Sequence, residues 1–246
     1  MSSNITIVTT GSVVATPGGP AGSEVTGPIS FAHNAGALVA GDLLSRASRL
    51  LGNEYVTADH DYARWKIAEL LTYVTDACSE IVNLKPQANV VNIVLPLVAG
   101  TRQLLPDPVV MLRTVICNIA ANQQAGSSPP LVPMEAFSTL LPLMHGDAPG
   151  EIVAACGYSP QDPKILYVYP PHPVSTGRSL LLSCVLTPLP LTTLTGVLDL
   201  GREYGPAVVD YVCYRCYQDD TDTGSAERSA KYLADFSAKV QAVPPR

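Results

Sequence analysis

Apolar residues recur along this chain with two different periods, and the change of period divides it into parts. Between 36 and 51, Val39, Leu43, Ala47 and Leu50 return every three or four residues, the spacing of one helix face. Gly52-Asn53 supplies a stop. From 62 to 84, Ile67, Leu71, Val74, Cys78 and Ile81 form an apolar stripe, and Glu69, Thr72, Asp76, Glu80 and Asn83 line the opposite side. Asp59 or Asp61 is placed to cap that helix, and Pro86 closes it. From 90 to 200 the helical spacing is lost. The runs 90–97, 102–105, 109–119, 152–156, 165–169 and 180–186 are rich in Val, Ile, Leu and Tyr and read as strands. Ala99-Gly100-Thr101 predicts a hairpin or tight bend, and 133–145 a short helix with proline at its first turn. Helices then return. Residues 203–218 are apolar nearly all round, which marks a helix buried on most faces. Residues 225–241 are amphipathic, with Ala226, Ala230, Leu233, Phe236 and Val240 expected inward. Glu227, Lys231, Asp235 and Lys239 alternate in sign outside at i,i+4 spacing.

Helices on both sides of a β-rich stretch predict an α+β fold. A small helical bundle is formed by the N- and C-terminal helices, with an inserted β-rich, sandwich- or barrel-like lobe. The expected parts are an extended flexible arm at 1–34, the first half of the bundle at 35–88, the lobe at 89–202, and the second half with a C-terminal docking tail at 203–246. The arm carries one charged residue, Glu24, and its Pro17-Gly-Gly-Pro-Ala-Gly22 stretch suits neither helix nor strand interior. Its runs 5–8 and 12–14 are each fit to add a strand to a neighbour's sheet edge.

Composition adds one fact that the pattern does not. Apolar residues make up 47% of the 246, but charged residues only 15%, where soluble domains average about 25%. A surface so poor in charge is commonly one that another subunit covers, so obligate assembly is expected. The net charge of −6, without any block of Lys and Arg, argues against a protein that grips nucleic acid. No secretory signal is read at the N-terminus. The most apolar stretch, 180–200, is broken by Pro188, Pro190 and four threonines and is no membrane span.

Candidate chemistry is thin. Cys213-x-x-Cys216 lacks a second ligand pair at zinc spacing and reads as core, as do Cys78, Cys117, Cys156 and Cys184. Asp219-Asp-Thr-Asp-Thr-Gly224 fails the calcium-loop register, with Thr221 at the third position and Ala230 at the twelfth, and reads as an interhelical turn. His33, His60, His145 and His172 form no i,i+4 pair. His60, between Asp59 and Asp61, reads as a neighbour of a helix cap. The expectation is no enzyme, with no catalytic residue, cofactor site or metal site.

Several longer stretches stand in a telling order. They are Leu43-Leu-Ser-Arg-Ala-Ser-Arg-Leu-Leu51, Trp65 with Glu69-Leu-Leu71, and Cys78-Ser-Glu-Ile-Val-Asn-Leu-Lys-Pro86. Next come Leu97-Val-Ala-Gly-Thr-Arg-Gln-Leu-Leu-Pro106 and Asp162-Pro-Lys-Ile-Leu-Tyr-Val-Tyr-Pro-Pro171. The last is Tyr204-Gly-Pro-Ala-Val-Val-Asp-Tyr-Val-Cys-Tyr-Arg-Cys-Tyr217. From about Leu43 to Val240 the chain resembles the head–tail adaptor, or connector, proteins of tailed phages. That resemblance implies a structural virion protein without an active site, made in the host cytoplasm. It implies a homo-oligomeric ring, typically a dodecamer, between the portal protein and the tail nozzle, hub or fibre protein. DNA would pass through its channel without specific binding. Residues 1–34 and 180–200 match nothing in that pattern. The rival class is a monomeric β-rich module that binds a receptor or carbohydrate, which the single Trp, read as helical, disfavours. An enzyme of unknown type comes third.

Overall fold

The structure is a computed structural model, and it describes residues 7–8, 38–52, 64–140, 146–174, 177–220 and 224–244. Two apolar cores organise them, one among helices and one between two sheets.

The helical core gathers α1 (Ala40–Leu51) and α2 (Ile67–Leu84) from one end of the chain. A short helix, α3 (Met134–Leu140), lies apart in the β-rich region. From the other end come α4 (Gly205–Gln218) and α5 (Ser225–Ala242). α4 lies at the centre and packs against α1, α2 and α5. Its Val208, Val212, Cys213 and Cys216 are fully enclosed, as an all-round apolar helix requires. α2 buries the expected Leu71, Val74, Cys78 and Ile81, and adds Leu70, Tyr73, Ala77 and Val82, so its apolar face is broader than one stripe.

Three local expectations are corrected. α2 begins at Ile67 after Lys66, not at Tyr62; Asp59 and Asp61 lie outside the described residues, and the cap position carries no side-chain bond. Trp65 therefore sits just ahead of the helix, and it is buried. On α1, Leu50 turns outward and Leu44 takes its place in the core. α5 is rotated as well: Ser225, Ser229, Phe236 and Val240 are buried and Tyr232 packs on the core, while Ala226, Ala230 and Leu233 face out. The Ser229 hydroxyl donates to the Tyr214 carbonyl at 3.3 Å, which lets a small polar residue sit where α4 and α5 approach closely. Lys239 bonds Asp210 of α4, across the bundle, in place of the expected Asp235.

The segment 187–200 belongs with the helices. The N–H groups of Ala40 and Gly41, which have no partner within their own helix, donate to the carbonyls of Gly196 (2.9 Å) and Leu194 (2.8 Å). A Cβ at residue 41 would stand 3.0 Å from the Leu194 oxygen, a tight contact that glycine avoids. The Leu191 N–H reaches the Thr75 hydroxyl of α2 at 3.1 Å, and Leu191, Leu194, Leu198 and Leu200 join the helical core.

The β-rich part has two sheets. One is ordered β1 (Ile7–Val8), β2 (Val90–Pro96), β8 (Ser179–Leu186), β4 (Val109–Ile119), all antiparallel. The other is ordered β3 (Gly100–Leu104), β7 (Ile165–His172), β6 (Ala155–Tyr158), β5 (Leu131–Pro133), with β5 and β6 parallel. Ile93, Leu112, Val115, Leu180 and Leu182 of the first meet Cys156, Leu166 and Val168 of the second. The alternative of sandwich or barrel resolves to two stacked sheets, with no closed barrel among the described residues. Tyr158 of β6 links them, its hydroxyl accepting the Leu112 N–H of β4 at 3.1 Å.

The bend at Ala99-Gly100-Thr101 is no hairpin, because β2 and β3 lie in different sheets. Gly100 takes a φ of 97°, and buried Gln103 braces the crossing. Its Nε2 donates to the carbonyls of Val98 (2.9 Å) and Gly100 (3.1 Å), and its Oε1 accepts the Val98 N–H at 2.8 Å. Asn118 does the same for the far end of the lobe. Its Nδ2 donates to the Val153 carbonyl at 2.9 Å, and its Oδ1 accepts the Val153 N–H at 3.1 Å. Asn118→Ala leaves those buried backbone groups unpaired and is expected to cost about 3 kcal/mol in urea unfolding. Asn122→Ala, on an exposed turn nearby, is expected to change stability by less than about 0.5 kcal/mol.

Candidate interaction surfaces

The residues with reactive side chains are mostly engaged in structure. All six cysteines are reduced and buried. Burial pushes the thiols of Cys78, Cys156, Cys184 and Cys213 up to about 12, and that of Cys216 higher still, so they stay protonated near neutral pH. Cys213 and Cys216 lie one turn apart on the core face of α4. His172 is buried at the end of β7, and burial followed by the Arg178 charge lowers its pKa. His33, His60 and His145 lie outside the described residues. Among the described residues no group of acidic, His and Cys side chains is arranged to hold a metal ion.

The acidic turn after α4 is a tie between helices. The Tyr73 hydroxyl of α2 donates to Asp219 at 2.5 Å and to Glu69 at 3.0 Å. Burial, then these two carboxylates, raises the Tyr73 pKa far above the ordinary phenol range. Asp220 pairs with Arg64, whose guanidinium also lies 5.1 Å from the Trp65 ring centre. Arg215 sits 5.2 Å from the Tyr73 ring. The start of α2 is thus clamped to the end of α4 by charge-assisted bonds.

What remains for chemistry lies on the outside. A shallow groove of ≈ 490 Å³ runs along the α4–α5 seam, with Leu50 at its edge. Tyr217 and Tyr232 stack there, 5.7 Å apart and 11° from parallel, and Arg228 lies 5.7 Å from the Tyr217 ring. Lys231, Asp235 and the Asp210–Lys239 pair complete the lining. A second hollow, ≈ 300 Å³, lies beside the edge strand β3 between Pro96, Val98, Arg102 and Leu104. Val98 is 57% exposed and Leu104 61%. The groove offers stacking and mixed charge, and the hollow offers apolar contact. Both are features of docking surfaces.

The helical bundle and the two-sheet lobe each have their own apolar core and each carry a shallow surface hollow. The chain matches the family model of the SU10 adaptor protein over residues 40–244 and belongs to that family, one of phage head–tail adaptors. It is thus a structural phage adaptor and a virion component. No curated protein matches the chain. Among the described residues no helix is long and apolar enough to cross a membrane.

Asp210 gives the seam a pH response. Its carboxylate is only 5% exposed, and burial raises its pKa more than Lys239 lowers it. An acid held above its unfolded pKa favours the protonated folded state. Its ionised form therefore costs stability at neutral pH, and that cost is relieved as pH falls through the raised value toward the ordinary carboxylate range. Asp210→Asn removes this response. At pH 7 the variant is expected to match or exceed wild type, within about 1 kcal/mol. Wild type should gain on it steadily as denaturation is repeated from pH 7 down to about 4.

Proposed function

We propose that this protein closes into a ring, dodecameric in the pattern of its family, between the portal and the tail nozzle or hub, and that the ring extends the DNA channel. The observation that carries the reading is the family match, which spans both the bundle and the sandwich. A low charged fraction supports it, since ring closure covers two flanks of every subunit. The bundle and the sandwich give each subunit two distinct ends. The outward Ala226, Ala230 and Leu233 of α5 are assigned to the portal, and the exposed Val98 and Leu104 beside β3 to the tail.

Truncating α5 is a poor test, because Phe236, Val240 and the Lys239–Asp210 pair make it part of the bundle. The double variant Ala230→Glu/Leu233→Asp charges only the outer face. It is expected to keep the melting temperature within about 2 °C, since exposed positions contribute little. Co-sedimentation with portal rings should fall at least about tenfold. Imaging wild type with portal should show a closed ring. Normal portal binding by the variant would move the contact to the other end of the subunit.

The channel is proposed to let DNA slide. With −6 per subunit, a dodecamer carries on the order of −70, and a passive lumen lacks the phosphate grip that Lys and Arg would add. Filter binding with duplex DNA near physiological salt should give a dissociation constant weaker than about 10 μM. Micromolar or tighter binding would instead indicate a protein that holds the DNA end.

A further inference from the structure

The edge of the first sheet is closed by a strand that arrives from far away in the chain. Ile7–Val8 pairs antiparallel with β2, Ile7 opposite Ile93 and Val8 opposite Asn92. On its other side β2 pairs with β8 along its whole length, from Val90 to Pro96. β1 matches only two of those seven residues. The edge without it would be an open template for another chain.

Two facts bear on which chain supplies that strand. First, Leu38 and Val39 are fixed to the helical part: the Leu198 N–H donates to the Leu38 carbonyl at 2.9 Å, and Val39 bridges Val197. Second, 29 residues separate Val8 from Leu38 in the sequence. Their contour is on the order of 100 Å. A compact subunit of this length has a radius of gyration of roughly 18 Å, so the β2 edge of an adjacent subunit is also within reach. A two-residue pairing gives little to offset the closing of so long a loop within one chain. Between subunits already held side by side, the same pairing adds to an existing interface at high effective concentration.

We propose that in the assembled ring β1 is exchanged: the strand at Ile7–Val8 of each subunit pairs with β2 of its neighbour. The occupant of the β2 edge is then a second copy of this chain. Every subunit carries one donor strand and one acceptor edge, which is the requirement of a head-to-tail interface. Around a closed ring each edge is filled and no strand is left over. The proposal rests on the ring reading and assigns a role to residues the family match does not cover.

Cysteine pairing tests it against a quiet background, because the six native thiols are buried. Val8→Cys and Asn92→Cys subunits are prepared singly, mixed, assembled with portal, oxidised and run on a non-reducing gel. The Val8→Cys/Asn92→Cys double variant is assembled in parallel, and Ile7→Cys with Ile93→Cys repeats both arms at the alternate register position. Negative-stain imaging of each sample records whether rings form. Exchange predicts a dimer-sized band in the mixture of single variants and a ladder in the double variant. Rings that yield only a cross-linked monomer, or no cross-link at either position, overturn the exchange and leave the ring intact. Failure of wild type to form rings with portal overturns the ring reading, and the exchange falls with it.

Discussion

α4 has no polar face, and the rest of the structure follows from that. A helix carrying Val208, Val209, Val212, Cys213 and Cys216, with even its Asp210 withdrawn from water, cannot stand at a surface. It must be enclosed on every side. The sequence near it supplies only one partner, α5. The remaining cover comes from α1 and α2, more than a hundred residues earlier, and the chain between them has to leave and return. The sandwich is the excursion, and 187–200 is the return path, capping α1 and bonding α2 before α4 begins. Burial of one helix thus brings both ends of the described fold together.

Charge at this junction is used to position helices. Tyr73, Asp219, Asp220, Arg64 and Arg215 draw the start of α2 onto the end of α4. Lys85 donates its ammonium to the carbonyls of Gln241, at 3.1 Å, and Val243, tying the end of α2 to the end of α5. A chain with few charges commits several of them to ties between its own helices, which leaves fewer unpaired charges on its outer surface. Such a surface suits broad contact with identical neighbours.

Periodicity made the elements legible, but not the faces of helices with weakly contrasted sides. α4 and α2 were readable because their burial is nearly decided by apolar content alone. α5 was not: its sequence offers Ala226, Ala230 and Leu233 as an apolar stripe, yet Ser225, Ser229 and Tyr232 face the core. Two serines pack there because their hydroxyls find the carbonyls of Asp220 and Tyr214, and because small side chains let α4 come close. Neither bond has a signature within a window of the sequence. The same holds for Asn118, whose partners on Val153 are backbone groups fixed only once the sheets are in place. The bend at Gly100 was visible, but whether the chain turned back or crossed to another sheet depended on β7 and β8, some seventy residues away.

The functional surfaces were legible in another sense. The motifs in order identified the adaptor class, and the family match over 40–244 bears that out. The helix face proposed for contact follows from the observed rotation of α5. Because α5 turns its serines inward, it is left with alanines and a leucine outside, where a monomer gains nothing from them. Because β8 covers one side of β2 along its whole length and β1 only two residues of the other, that second edge can take a strand of the same sequence wherever that strand comes from. An apolar helix face and a thinly paired sheet edge call for different kinds of contact. The helix face needs packing, and the edge needs backbone hydrogen bonds. A scaffold that joins unlike neighbours can therefore keep its contacts from competing, by making each through a different kind of interaction.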